Sequence, residues 1–326
     1  MDKKIKILFT ATFSTSFIQE DLKILSAHYS VTKVISSGIK TFFTYIAAIR
    51  KNDLTFSWFA SVYSSILIFF TKVFGKKSIL ILGGVDVAKI PELNYGIWNS
   101  WWKSIIVRYG IKNADVVLAV DPSIKKDAEI LAQYNGDNIF VLPTGHNSSF
   151  WQPNQVKENF VLTVANCDNY TRFKIKGIDF LYTVAQTLPN VHFVLIGMSS
   201  TMQKQFIPTS NLEMYDSKSQ DDLLDFYQRA KVYFQPSLRE ALGSTLCEAM
   251  LCGCYPIGTN VGGIPTVIGD SGSIIPFGNT DSAGHEITKG LQSQLSLQAR
   301  EQIMTHFSLE QREQKIIDYI SQLLHD

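Results

Sequence analysis

Short apolar runs alternate with amphipathic stretches along the chain, and that alternation predicts the architecture. Lys6 to Thr10, Val31 to Ile35, Ser78 to Leu82 and Asp115 to Val120 are brief and rich in Ile, Leu and Val, as strands buried on both faces of a parallel sheet are. Between the first two, Phe17, Leu22, Ile24 and Leu25 follow a helical period. The run from Asn138 to Asn147 closes this half, and after a linker near Phe150 to Val156 the pattern restarts. Phe160 to Val164 reads as a strand, Ile178 to Leu188 as a helix ended by Pro189, Val191 to Ile196 as a strand ended by Gly197, and Val232 to Gln235 as another buried strand. A chain of 326 residues exceeds one ordinary core. The expectation is α/β with two doubly wound, Rossmann-like domains, one over 1–150 and one from 151 onward.

Two stretches stand out from the alternation. Residues 59–73 are strongly apolar between Asp53 and Lys76-Lys77; they fall short of the roughly 20 residues that cross a bilayer, so they read as a buried helix. Between Asn94 and Ala114, Tyr95, Trp98, Trp101, Trp102 and Tyr109 mix with Lys103, Arg108 and Lys112. That mixture suits an anionic membrane surface, where Trp and basic residues both favour the interface; a helix packed on the sheet is the plainer alternative.

An apolar share of 45% with 18% charged residues describes a globular protein. Net charge is +1, yet residues 1–150 hold 17 Lys/Arg against 11 Asp/Glu and the remainder 13 against 18. The basic half favours an anionic neighbour or is simply a solvated face; nucleic acid is not an expected partner. Cys167, Cys247, Cys252 and Cys254 lack the two-residue spacing of a zinc knuckle, so packing is their expected role. Met1-Asp2-Lys3-Lys4 leads directly into a strand without a signal-peptide pattern, which implies a cytoplasmic protein.

The most informative stretch runs from Pro236 to Met250. A buried strand leads into a Pro-Ser turn, then Glu240, Leu242, Gly243 and a helical run whose first turn carries Ser244 and Thr245. A helix start has unpartnered amides and partial positive charge, so the amides at Gly243, Ser244 and Thr245 suit a phosphate. Glu240 sits just ahead of that start and Glu248 about a turn inside it, where they can meet groups attached to the phosphate. Two glutamates with seven residues between them also occur without function in many helices. Elsewhere, Gly83-Gly84-Val85-Asp86 follows a strand; Asp86 can touch an acceptor hydroxyl there, or the segment is ordinary turn chemistry. Arg172, Lys174 and Lys176 precede a helix start and make a phosphate clamp or an exposed basic loop.

Strand, Pro-Ser, Glu, Gly and helix, followed by Gly253 to Thr259 and Val261-Gly262-Gly263-Ile264-Pro265, resemble the donor-binding core of the retaining nucleotide-sugar glycosyltransferases of family 4, which have the GT-B fold. The resemblance runs from about Phe160 to Phe277. The family's E-x7-E motif falls on Glu240 and Glu248, and Lys176-Gly177 matches its Lys-Gly pair, whose lysine holds the donor diphosphate. Three places depart from it. The Gly-Gly pair of the first loop is replaced by the hydroxyl-rich Ala11 to Phe17, the turn that commonly reads Asn-Gly-Val-Asp is Thr144 to Asn147, and Ala165-Asn166 stand where a Gly-Arg pair is usual. Arg172 or Lys174 is then the expected second cation.

The resemblance implies two facing Rossmann-like domains with a cleft between them: an acceptor side over 1–150, a nucleotide-sugar side over 151–308, and a last helix over 309–326 packing back towards the first. It implies transfer of a hexose-type sugar, with retention, from a UDP or GDP sugar to a hydroxyl of a glycan or lipid-linked acceptor. Glu240, Lys176 and Asp86 are the expected catalytic residues. Donor binding is expected from Arg172, Lys174, Lys176, Tyr215, Glu240, Leu242, Gly243, Ser244, Thr245 and Glu248. No metal or other cofactor is expected, since lysine and amides can stabilise the leaving diphosphate and no Asp-x-Asp motif is present. Peripheral contact with an anionic membrane, at its inner face, completes the expectation. Two other readings stay open: a GT-B nucleotide-sugar 2-epimerase, and a non-catalytic sugar-nucleotide-binding subunit. No G-x-G-x-x-G follows the first strand, which counts against a nicotinamide enzyme.

Overall fold

The computed structural model describes residues 4–35, 39–205, 209–293 and 296–325. The chain divides into two compact units, one of residues 1–145 with 310–326 and one of 146–309.

In the first unit the order is β1 (Lys6–Ala11), α1 (Ser16–His28), β2 (Ser30–Ile35), α2 (Ile39–Ile49), β3 (Leu54–Trp58), α3 (Val62–Val73), β4 (Lys77–Leu82), α4 (Trp101–Asn113), β5 (Val116–Ala119), α5 (Pro122–Ala132) and β6 (Ile139–Val141). The strands form one sheet in the order β2-β1-β3-β4-β5-β6, parallel throughout. β3 and β5 are buried along their whole length; β5 accordingly reads as an unbroken apolar run, whereas β3, Leu-Thr-Phe-Ser-Trp, carries buried Thr55 and Ser57 and is not evident from sequence. The apolar stretch 59–73 is mostly α3, started by a capping box between Ser61 and Ser64 and burying Leu67 and Ile68.

The second unit runs β7 (Glu158–Cys167), α6 (Tyr170–Ile175), α7 (Ile178–Thr187), β8 (His192–Met198), α8 (Ser200–Gln203), β9 (Leu212–Tyr215), α9 (Gln220–Arg229), β10 (Ala230–Gln235), α10 (Ser244–Leu251), β11 (Tyr255–Thr259), α11 (Ile264–Ile268), β12 (Ser273–Ile275), α12 (Thr280–Gln292) and α13 (Leu297–His306). Its sheet, also parallel, has the order β12-β11-β10-β7-β8-β9. Val161, Phe180, Phe193, Val232 and Phe234 belong to one buried cluster against its helices. After β7 the chain builds outward to one side through β8 and β9, then returns to place β10 on the other. β7 and β10 therefore flank a topological switch point, the place in an open α/β sheet where ligands bind beside the strands' carboxyl ends.

The final helix, α14 (Leu309–His325), is tied into the first unit by a buried ion pair. Arg312 donates Nε and Nη2 to the two Asp21 carboxylate oxygens at 2.6 and 2.7 Å, and Nη1 to the carbonyls of Leu142 and Pro143. Trp58 donates its indole N–H to the same carboxylate at 2.9 Å. Both charged side chains are almost fully buried. Removing one partner of such a pair leaves an uncompensated buried charge, costing about 3–5 kcal/mol, whereas replacing both by apolar groups is often nearly neutral. Urea unfolding should accordingly show Arg312→Ala strongly destabilised and Asp21→Leu/Arg312→Met much less so; equal losses would show that the packing of α14, and not charge, dominates.

Candidate functional site

The switch point of the second unit gathers the residues singled out by sequence. The loop after β7 carries α6 and then the turn at Lys176-Gly177; the loop after β10 carries Pro236 to Gly243. Gly177 has φ +65°, and a Cβ there would collide with the Pro236 carbonyl oxygen. The backbone amides of Leu238 and Arg239 donate to the Ile175 carbonyl at 2.9 and 3.2 Å. The two loops are thus stitched together by backbone, with glycine required by both the left-handed conformation and the close approach. Gly262 repeats the device from the far side: φ is +54° and a Cβ would collide with the Glu240 carbonyl oxygen.

Lys176 and Glu240, 64 residues apart in sequence, meet here at 2.8 Å. The same oxygen, Glu240 Oε2, accepts from Gln235 Nε2 at 3.0 Å and from Ser237 Oγ at 3.1 Å. Gln235 in turn accepts from the Tyr233 hydroxyl at 3.1 Å, and that hydroxyl contacts Thr245 Oγ1 at 2.8 Å. A chain of polar groups therefore runs from the first turn of α10 to the carboxylate. Gly243, with φ +95°, is the N-cap of α10 and offers no side chain to its amides. The positive helix start thus lies beside Glu240 and Lys176, while Leu242 is buried beneath the loop.

Glu248 lies on the buried face of α10. Its Oε2 accepts from the Tyr227 hydroxyl of α9 at 3.0 Å. Burial pushes the Glu248 carboxyl up to about 8, against the downward pull of that hydrogen bond. Burial thus favours the protonated form of Glu248, which can donate as well as accept.

Other expected site residues are placed differently. Arg172 pairs with Asp168 at 3.0 Å and Lys174 with Asp179 at 2.7 Å, so each nominated second cation is bonded to a nearby carboxylate while Lys176 alone of the three reaches Glu240. Tyr215 ends β9, donates to Glu213 at 2.7 Å and has the Lys218 ammonium 5.3 Å from its ring centroid. Asp86 belongs to the first unit and is turned inward. Its carboxylate accepts from the amides of Ala60 at 2.9 Å, Gly83 at 3.1 Å and Gly84 at 2.7 Å, with only 2% of the residue exposed. Burial pushes this carboxyl up to about 6 against those three amides. The Asp86 carboxylate thus fixes its turn. Gly83 is explained the same way, since a Cβ would run into the Phe59 ring.

Sequence reasoning overlooked Gln235, Ser237, Tyr233 and Tyr227. The signal available was polarity at positions that read as fully buried strand: Tyr233 and Gln235 are buried yet alternate with Val232 and Phe234 of the apolar cluster, so they must find partners on the opposite face.

Comparison with known proteins follows the same outline. The family model for glycosyl transferases group 1 matches residues 147–305. The chain is 29% identical over 175 residues to the gpi3 subunit of phosphatidylinositol N-acetylglucosaminyltransferase from Schizosaccharomyces pombe, covering 50% of this chain and 38% of that protein. It is 24% identical over 272 residues to N-acetyl-alpha-D-glucosaminyl L-malate synthase from Bacillus anthracis, covering 77% of this chain and 68% of that one. The chain therefore spans well under half of the first relative's length and about two thirds of the second's. Among solved structures, HepE from Anabaena, in complex with UDP and glucose, superposes with TM-score 0.77 at 14% identity, covering 97% of this chain and 99% of that one. Sucrose-phosphate synthase from Thermosynechococcus elongatus gives 0.80 at 14% identity, covering 99% and 100%. At such identity the likeness is one of fold, and it shows the GT-B architecture.

The raised Glu248 carboxyl makes a pH prediction. An unfolded glutamate has its ordinary value near 4.5, so from there to about 8 the folded state holds a proton that the unfolded state has lost. Stability from this group is full below pH 4.5 and declines as pH rises through 8, by ~1.4 kcal/mol per unit. Glu248→Gln removes the titration, so its stability relative to the parent should rise steadily between pH 5 and 8 in urea unfolding. A difference independent of pH would mean that Glu248 is ionised in the folded protein.

Proposed function

We propose that this chain, whose residues 147–305 match the model for glycosyl transferases group 1, transfers a hexose-type sugar, with retention of anomeric configuration, from a nucleoside-diphosphate sugar to a hydroxyl of a glycan or lipid-linked acceptor. The observation that carries this is the Lys176–Glu240 pair at the switch point, 2.8 Å apart, beside the uncapped start of α10. A diphosphate at that start would be met by the Ser244 and Thr245 amides and by the Lys176 ammonium. As the bond between sugar and diphosphate breaks, charge grows on the bridging oxygen, and those fixed donors stabilise it without reorganising. Glu240, held by Lys176, Gln235 and Ser237, would position the sugar hydroxyls, and Glu248 would meet the ribose.

UDP or GDP is the donor nucleotide we propose, with Tyr215 near the base and no divalent metal, since lysine and amides already supply the positive charge. A HepE structure holding UDP and glucose on the same fold supports a nucleotide sugar as ligand. We further place the protein in the cytoplasm, in peripheral contact with the inner face of an anionic membrane, as a lipid-linked acceptor requires.

Thermal shift with UDP, GDP and ADP should show stabilisation by one of the first two, and proton NMR of the reaction with the matching nucleotide sugar should show a product that keeps the donor's anomeric configuration. No stabilisation by any nucleoside diphosphate would sink the proposal; conversion of the sugar nucleotide without an acceptor would make the protein an epimerase. Lys176→Ala should lower turnover by roughly a hundredfold or more, the loss typical of one preorganised donor. Glu248→Ala should raise the Kd for the nucleotide, because it meets the ribose in ground and transition states alike. Unchanged turnover in the first and unchanged affinity in the second would place the diphosphate and ribose elsewhere.

A further inference from the structure

Helix α4 is apolar on both of its sides. Val107, Gly110 and Ile111 are buried, as the inner face of a sheet-packed helix should be. Its outer face carries Trp102, Ile105, Tyr109 and Lys112 at helical spacing, with Trp101 beside them, and all five are exposed; Trp101 is 76% accessible and Ile105 57%. Trp98 is not part of this face. It is buried, and its indole N–H donates to the Asp86 carbonyl at 2.8 Å.

The exposed face continues onto α3. A Cβ at Gly110 would collide with Ser65 Oγ, so the two helices touch closely and their outer rows form one surface. Phe69 of α3 meets Tyr109 with ring centroids 6.0 Å apart, and Lys72 donates to Asn113 Oδ1 at 3.2 Å. Val73, one turn after Phe69, is 63% accessible. Scattered exposed apolar residues need no explanation, but a contiguous patch does.

Charge narrows what covers it. Neither α3 nor α4 contains an Asp or Glu, while Lys72, Lys103, Arg108 and Lys112 lie on them. Arg108 is turned inward to the Leu131 carbonyl at 3.3 Å; Lys72 and Lys112 are exposed and Lys103 half-buried, with Lys112 donating to the Gln133 carbonyl at 3.2 Å and the Lys103 ammonium 5.5 Å from the Trp102 ring centroid. A second copy of the same face would bring like charges together, so self-association is opposed. An anionic surface is favoured, and the pairing of Trp and Tyr with Lys on one convex helix face suits the lipid–water boundary, where aromatic rings sit at headgroup level. Among the described residues no helix is long and apolar enough to cross a membrane, so the contact is peripheral.

We propose that the outer faces of α3 and α4 are a docking surface for an anionic lipid bilayer, Trp101, Trp102 and Ile105 entering the interface and Lys72, Lys103 and Lys112 pairing with headgroup charge. This assigns a surface to the peripheral contact proposed above and rests on it, independently of the donor chemistry.

The test is co-sedimentation with vesicles of phosphatidylcholine alone and of phosphatidylcholine with an equal part of phosphatidylglycerol, at low and high salt, with UDP titration of every preparation. The parent protein should pellet with the anionic vesicles at low salt, remain in solution with phosphatidylcholine alone, and be released by salt. Each lysine changed to Gln should weaken partition by roughly fivefold, and Trp101→Ser/Trp102→Ser/Ile105→Ser should abolish it with UDP affinity unchanged. Failure of the parent to pellet at low salt overturns the proposal in favour of an acidic protein partner, and so does a serine variant that pellets like the parent. UDP binding reads the donor chemistry separately, so loss of one proposal does not obscure the other.

Discussion

Glu240 accepts three hydrogen bonds on one carboxylate oxygen, from Lys176, Gln235 and Ser237, and the geometry of the second unit's crevice depends on that convergence. A carboxylate 11% exposed on its side chain needs several donors to stay ordered. Here the donors come from the turn after α6, the end of β10 and the loop that follows it, which the topology alone brings together. The backbone contacts at Gly177 and Gly262 then remove the slack, since neither loop can move far without opening a glycine-specific close approach. The ion pair is thus less a source of stability than a means of fixing direction: the free oxygen of Glu240 and the ammonium of Lys176 keep a set relation to the start of α10.

Much of this was legible in the chain. β1, β4 and β5 announce themselves as apolar runs, while β3, with Thr55 and Ser57, does not; the restart after Phe150 marks the second sheet because two cores require two sets of such runs. Glu240 and Gly243 could be named because strand, turn, glycine and helix follow each other locally, and Lys176 because Lys176-Gly177 matches the Lys-Gly pair of the family that the chain resembles. What escaped notice were relations across distance. Tyr227 reaches Glu248 from another helix, and Arg312 reaches Asp21 across 291 residues; no local period encodes either pairing. Gln235 was hidden for another reason: a polar residue at the end of an apolar strand looks like the strand's exit, and only the fold shows it facing α10.

The aromatic cluster before α4 shows how finely phase decides. Trp98 and Trp101 are three residues apart, close to one helical turn, so spacing alone places them on one face. Trp98 instead precedes the helix, in a short turn that aims its indole at the Asp86 carbonyl, and Trp101 opens α4 facing outward. Asp86 is held in the same knot by three amides. Residues that suggested chemistry and membrane contact on sequence grounds therefore divide, one pair stabilising a turn and the others forming a surface.

The two glutamates of the second unit divide in a related way. Glu240 has a lysine and two neutral donors, whereas Glu248 has one tyrosine hydroxyl and a buried setting that keeps it protonated to about pH 8. On the proposed reading this difference matters for binding an anion. A diphosphate at the start of α10 gains from the helix's positive end, and a second ionised carboxylate within the same helix would oppose it. Protonation of Glu248 removes that charge while leaving a group that can both donate to and accept from a ribose hydroxyl. Lys176 is paired with Glu240 at 2.8 Å and burial favours the neutral form of Glu248, so on this reading the crevice keeps two acids at the proposed phosphate site with the charge of one offset and of the other suppressed.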